Sequence, residues 1–466
     1  MKGSSDVRLW QRCASELAGL IAAGDVSSRE VVEAHLARID DVNGFTNAVT
    51  VVLRETALAD ADAADRGEVS GPLRGVPFTV KENIDCIGSA TTHGVPGLRD
   101  ALPWRDAPVV ERMKSAGAIV IGRTNLPELA LRLSTTNPLR GRTLNPWNAA
   151  LTAGGSSGGD AAALATGMTP LGLGNDLGGS LRNPAYCCGV AALKPTAGRI
   201  ARASSLPPVD PGLAQQMMAV DGPMARSVAD LRLALAVLAG RDARDPRSVD
   251  APLEGRKSAA QRAALVLRIP GVELPAATTA AIQHAGRLLA AAGWEVELAE
   301  PPELDLVNET WGDVLWSDFS LLIPRWRPLL TEPMYDYLVR AAARHERRAI
   351  STYDIHTTRS FLQRLWSEFF ARFPVAVGPT WTCLPWPADA DLDPETGTQL
   401  VLDSTSFITP ANVLGLPAVA LPTGVADGLP TGVQVYADLW REDLCLEAAA
   451  VIEAGAERPT PIDPRR

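Results

Sequence analysis

Histidine and cysteine are scarce in this chain of 466 residues, and their scarcity removes whole classes of chemistry. The five histidines (His35, His93, His284, His345, His356) are scattered without an HExxH or similar spacing, so no metal site is expected. The six cysteines (Cys13, Cys86, Cys187, Cys188, Cys383, Cys445) form no CxxC pair and are too few for a disulfide framework in a chain this long. Reduced, mostly buried thiols are expected. Positive charge is short as well. A formal net charge of -10 opposes binding to polyanions, and the arginine-rich stretch 340–348, with Arg344, Glu346, Arg347 and Arg348, reads as the solvated face of a helix. No nucleic-acid partner is expected.

Long apolar runs are missing too, with one apparent exception. Residues 408–426, ITPANVLGLPAVALPTGVA, are uncharged and long enough for a membrane span, but Pro410, Pro417 and Pro422 with Gly415 and Gly424 break any helix there. Buried loops and strands are expected instead, and no membrane partner. The opening MKGSSDVRLWQ lacks the basic-then-apolar pattern of a secretory signal, which predicts a cytoplasmic protein.

What is present is a 46% apolar composition, enough for one large core or two ordinary ones. Ser27 and Glu30 have capping-box spacing, and Val31, Val32, His35, Leu36 and Ile39 mark one apolar helix face, with His35 packed in it. From Val76 onward short apolar runs such as VPFTV and AIVIG alternate with small-residue helices, the pattern of an α/β fold. Residues 228–240 return to helix, and 241–262 read as an exposed connection. Six of the eleven tryptophans (Trp311, Trp316, Trp326, Trp366, Trp381, Trp386) fall within 303–390. Such a density suits a helical cap over an apolar pocket or ordinary helix packing.

The stretch LTAGGSSGGDAAALATG, residues 151–167, sets Ser156 and Ser157 among glycines before a helical run. It is not a phosphate loop, because the Gly-Lys-Ser/Thr ending is missing and an acid stands at the end. Gly172-Leu173-Gly174 begins like a dinucleotide fingerprint, but Leu177 occupies the third glycine position. A serine hydrolase remains, in two versions. Gly155 to Gly159 matches GxSxG, which would make Ser157 the nucleophile of an α/β-hydrolase-type esterase, although no histidine sits in a suitable loop. The other version uses Lys81, which follows the apolar run GVPFTV and is either a desolvated base or a surface lysine at a strand end, with Ser180 in the downstream glycine-pair turn.

Taken together, GVPFTVKENID, GRTNLPELAL, NPLRGRTLNPWN, AGGSSGGDAAALATG, LGLGNDLGGSLRNPAYCCGVAALKPTAGR, FITPANVLGLPAVALPTG and GLPTGVQVYA resemble the amidase signature family in content and order. Residues 70–240 and 375–455 carry the resemblance; 241–374 match only in general character. The resemblance implies a central mixed, twisted sheet flanked by helices, forming one amidase domain over 1–466. Its parts would be N-terminal helices over 1–69, a core over 70–240, an aromatic-rich helical cap over about 303–390 and a core return over 391–466. It implies Ser180 as nucleophile, Ser156 as bridging serine behind a cis peptide, and Lys81 as base. Leu177, Gly178 and Gly179, with the Ser180 N–H, would form the oxyanion hole. Asp176 and Arg182 would brace the turn, Ser157 would support the site, and Ala130 and Leu131 would lie near the acyl pocket. Asn175 and Asp160 depart from the family pattern, which has Ser or Thr and a small residue there. No cofactor or metal is implied. The expected substrate is a small, hydrophobic amide, or an ester, anilide or carbamate, cleaved through an acyl-enzyme by a monomer or homodimer. An amidotransferase A-type subunit releasing ammonia from glutamine within a complex is the alternative.

Overall fold

The computed structural model describes residues 8–255, 261–346 and 350–465. Its strands are β1 (Val49–Val52), β2 (Pro77–Lys81), β3 (Ile119–Thr124), β4 (Thr136–Asn137), β5 (Gly141–Arg142), β6 (Leu171–Asp176), β7 (Ala191–Lys194), β8 (Val220–Ala225), β9 (Arg262–Leu265), β10 (Glu295–Leu298), β11 (Val375–Pro379), β12 (Ala418–Ala426) and β13 (Leu429–Ala437). Eleven of them form one sheet in the order β1-β3-β2-β6-β8-β7-β12-β13-β11-β9-β10. It is mixed: β2 runs parallel to β3 and β6, whereas β6 and β8 are antiparallel, as are β12 and β13. Every residue of β2, β3, β6, β7, β8 and β11 is buried, so these strands read as largely apolar or small-residue runs, interrupted by enclosed polar and charged residues, rather than as alternating ones.

Helices cover both faces. One face packs the helices Ala14–Ala23, Pro108–Ser115, Val228–Leu238, Ala276–Ala291 and Glu442–Gly455 against the sheet through residues such as Leu17, Met113, Leu231, Ile282 and Ala448. The other carries Ser28–Thr46, whose Ser27 and Glu30 form the expected capping box, and Gly158–Ala165, whose alanines pack directly on the strands. His35 is buried on the first of these, its Nδ1 bonded to the Val31 carbonyl, and burial pushes it down to about 4. The uncharged stretch 408–426 is a short helix, Pro410–Val413, followed by β12, as its prolines predict. No helix among the described residues is long and apolar enough to cross a membrane. All six cysteines are free thiols.

The aromatic segment divides. Helices Leu304–Trp326, Glu332–Glu346 and Thr352–Arg372 occupy its first part, but β11 lies inside the span expected to be a cap, so the helical region ends at Arg372. Trp366 is core, against Phe370 and Tyr436, and Trp381 packs on Trp386 and Tyr186. Arg344 is exposed, and Arg347 and Arg348 lie outside the described residues. Within the expected exposed connection, Asp245 and Ser248 are buried, while 256–260 lie outside the described residues.

Candidate active site

Because β2 and β6 are parallel neighbours, their C-terminal ends deliver Lys81 and the turn 177–180 to the same edge of the sheet. Side chains two apart on a strand share a face, and so do register partners on adjacent strands. Thr79, Lys81 and Thr124, the register partner of Lys81, therefore face one way, toward the helix Gly158–Ala165. Ser157 is the residue before that helix, and Ser156, next before it, follows a cis Gly155–Ser156 peptide bond. The lysine is fully buried, not a surface residue.

Three oxygens surround the Lys81 amine. Its Nζ lies 2.7 Å from Ser156 Oγ, 3.0 Å from Ser157 Oγ and 2.7 Å from Asn175 Oδ1. Asn175 is fixed in turn by donating from Nδ2 to Asn83 Oδ1 at 2.9 Å. Burial strips water from the ammonium and pushes Lys81 down to about 7, against the partial pull of the Asp160, Asp176 and Asp221 carboxylates. A neutral amine has two N–H bonds and one lone pair. Asn175 Oδ1 can only accept, so it takes one N–H; of the two serines, one accepts the other N–H and one donates into the lone pair. The arrangement thus holds both protonation states without losing a partner, and gaining a proton reverses a single serine hydroxyl.

The turn after β6 is pinned from beneath by Asp176. Its carboxylate accepts from Gly179 N–H at 2.8 Å, Leu181 N–H at 3.1 Å, Arg182 Nε at 3.0 Å and Nη2 at 3.1 Å, and Asn412 Nδ2 at 2.8 Å. Asp176 and Arg182 are both fully enclosed, and although burial opposes it, the guanidinium holds the carboxyl far below the usual range. Asp176 and Arg182 are thus paired directly beneath the turn. The Gly179 N–H is engaged by Asp176, while Leu177, Gly178 and Ser180 line the cavity. Gly179 is needed for its backbone, at φ 104, where a Cβ would meet Ile408 Cγ2 at 2.6 Å. At Gly178 a Cβ would sit 2.8 Å from Trp311 Cζ2.

Ser180 opens onto a cavity of about 100 Å³ lined by Ala130, Leu131, Leu177, Gly178, Trp311, Leu315, Trp316, Phe319, Tyr337 and Leu338, with Arg132 and Arg344 among the polar lining residues. Trp311 is held over the turn by donating from Nε1 to the Leu177 carbonyl at 3.2 Å. Ala130 and Leu131 do fall in the wall. Their segment is unusual, for Leu129 and Ala130 both adopt left-handed backbone at φ 50 and 61, a costly state for residues with a Cβ. It is clasped at both ends. Buried Glu128 accepts from the Thr331 N–H at 2.7 Å and hydroxyl at 2.8 Å, and Arg132 pairs with Asp391 and Asp389, each at 2.7 Å.

Ser157 does not present itself as a nucleophile. It is fully buried and its hydroxyl is engaged with Lys81, so the GxSxG match is incidental. Trp311 and Tyr337 were legible only as members of the aromatic segment, Asn175 only as a departure from a family pattern, and the Arg132 clasp not at all, because distant segments bring its partners in. Among the described residues no group of three or more metal-ligating side chains is found.

The family model described as Amidase matches residues 30–446. The chain is 40% identical over 457 residues, 96% of its length and 86% of the relative's, to an indoleacetamide hydrolase of Bradyrhizobium diazoefficiens. It is 32% identical to the A-type subunit of a glutamyl-tRNA(Gln) amidotransferase from Synechococcus sp., covering 94% of this chain and 96% of that protein. The solved structure of 6-aminohexanoate cyclic dimer hydrolase complexed with substrate superposes with a TM-score of 0.83 at 29% identity, covering 99% of both chains. A lysine amine desolvated beside paired serines, a glycine turn lining a cavity, and similarity along nearly the whole chain lead to one conclusion: the chain belongs to the amidase signature family and is an amide-cleaving hydrolase.

Proposed function

We propose that the chain hydrolyses amides of hydrophobic, aryl-bearing carboxylic acids through an acyl-enzyme on Ser180. Neutral Lys81 gives one N–H to Asn175 Oδ1 and the other to Ser157 Oγ, and its lone pair accepts the Ser156 hydroxyl proton. Ser156 Oγ then takes the proton from Ser180 as the Ser180 oxygen attacks the carbonyl carbon. General-base help of this kind contributes roughly 10²- to 10⁴-fold. The N–H groups of Leu177, Gly178 and Ser180 stabilise the oxyanion, each worth about 3 kcal/mol. Collapse breaks the C–N bond, and the proton held on Lys81 returns through Ser156 to the leaving nitrogen. Water repeats the sequence on the ester and frees the acid.

The observation that carries this reading is the placement of the Lys81 amine 2.7 Å from Ser156 Oγ while Ser180 faces an aromatic cavity. A ring-lined cavity of about 100 Å³ fits a flat apolar acyl group, and a relative named indoleacetamide hydrolase supports that substrate class. All the reacting groups come from one chain, acting as one unit in the cytoplasm without a cofactor. The likeness to the amidotransferase component favours a second reading, ammonia release from glutamine. The test is a fluorophosphonate adduct mapped by intact mass and peptide analysis, with turnover of an arylacetamide and of glutamine measured in parallel. An adduct on Ser180, loss of turnover in Ser180→Ala and preference for the arylacetamide are expected. Turnover retained by Ser180→Ala overturns the mechanism, and preference for glutamine overturns the substrate class.

A further inference from the structure

One buried acid beside the lysine has no part in the chemistry above. Asp160 lies in the first turn of the helix Gly158–Ala165, three residues beyond Ser157, and is completely enclosed. Thr79 Oγ1 donates to its Oδ1 at 3.4 Å, a long bond, and its Oδ2 is buried without a hydrogen-bond partner. Thr124, the register partner of Lys81, has a hydroxyl buried near the carboxylate that favours its charged form without closing a hydrogen bond. Thr79, Thr124 and Lys81 share the face of the sheet on which this helix packs, so the carboxyl and the amine are both enclosed between that face and the helix, with the amine bonded to Ser156.

Of the other acids near Lys81, three are matched by arginines, and Asp85 accepts from Ser204 and Ser205. Asp176 is paired with Arg182, Asp221 with Arg202 and Glu82 with Arg140. Arg123 is spent on backbone carbonyls of Val80, Lys81, Ser89, Ala90 and Ile84, and desolvation pushes the half-buried His93 down to about 4. Unlike the three paired acids, Asp160 has no arginine in the described residues. An acid buried without a cation does not stay ionised unless a nearby amine carries the proton.

We propose that Asp160 is a positioning residue that sets the base strength of Lys81, its carboxylate stabilising the proton on the amine across the enclosed face that the two share. The inference rests on the reading of Lys81 as the base. Desolvation lowers the lysine and raises the acid, and their mutual attraction works against both shifts. Without Asp160 the cation formed on Lys81 during attack would lose its counter-charge. The amine would stay neutral to lower pH but would take a proton less avidly from Ser156.

The consequence is paired and opposite. In Asp160→Asn the acid limb of the kcat/KM profile moves to lower pH by about 1 unit or more, the low end of what a neighbouring opposite charge does, while the plateau falls several-fold, as expected for a weaker base. A merely structural loss would lower the plateau and leave the limb in place. Thr124→Val, which removes a hydroxyl beside the carboxylate, should move the limb the same way by less. The experiment measures both profiles on an arylacetamide, together with Lys81→Met. An acid limb that stays put in Asp160→Asn overturns the proposal. Should that variant fail to accumulate, an unmoved limb in Thr124→Val does so. If Lys81→Met keeps both activity and the limb, the base reading itself has failed; if it is inactive while the Asp160 limb is unmoved, only this inference has.

Discussion

Asp176→Asn is a sharp test of how the turn is held. Five donors converge on the Asp176 carboxylate, two of them from a fully buried guanidinium, and none of the groups can reach solvent. Asparagine keeps the shape, removes the counter-charge and turns an NH2 toward groups that can only donate. Stranding one partner of a buried ion pair costs about 3–5 kcal/mol. An unfolding entropy of about 2.1 cal/mol/K per residue makes each kcal/mol worth about 1 °C in a chain this long, so Tm should fall by about 3–5 °C. Because Gly179 and Leu181 lose their acceptor, kcat should drop by about 10²-fold, the scale of a small misplacement at a reacting group. Scanning calorimetry at matched scan rates and steady-state kinetics measure both. Adding Arg182→Met removes the stranded charge, and the double variant should melt above Asp176→Asn alone. The carboxyl's folded value is depressed, so its contribution is complete above the ordinary aspartate range and is lost only as pH falls from about 4 through that lower value. A Tm and kcat both unchanged, or a double variant less stable than the single, would refute the reasoning.

Other expectations follow from the same geometry. With Lys81 at about 7 and active when neutral, kcat/KM at pH 6 should be about a tenth of the plateau and keep falling tenfold per unit, which a pH series on an arylacetamide checks. Gly178→Ala drives a Cβ to 2.8 Å from Trp311, so kcat/KM should fall by about 10²-fold, and Trp311→Leu in the same chain should recover part of the loss. Leu338→Ala opens the cavity wall; it should cost about 2–5 kcal/mol of stability in denaturant melts and favour bulkier acyl groups in a competition assay.

The parts of the fold visible in sequence were those with local causes. The capping box at Ser27 and Glu30, the enclosed strands β2 and β3, and the prolines that stop a membrane helix all act within a few residues. The paired serines, the glycine turn and Lys81 were legible as a family pattern. Whether Lys81 was buried was not, since that depends on β3, β6 and a helix closing around it. The bond from the Gly179 N–H to Asp176 was hidden for a related reason: the orientation of the Asp176 carboxylate, set by distant residues, decides what that N–H meets. β11 inside the aromatic segment was missed because a five-residue strand with Phe373 before it reads like the end of a helix.

The clasped segment from Glu128 to Arg132 bears on how such a hydrolase can acquire new specificities. It joins the start of the helix Glu332–Glu346, through Thr331, to Asp389 and Asp391. Transplanting foreign helices alone would leave Glu128 as an enclosed acid facing whatever replaced Thr331. A workable graft must carry the loop and its anchors as one inherited block, so diversification of the pocket should proceed by exchange of that block rather than by drift of its separate pieces.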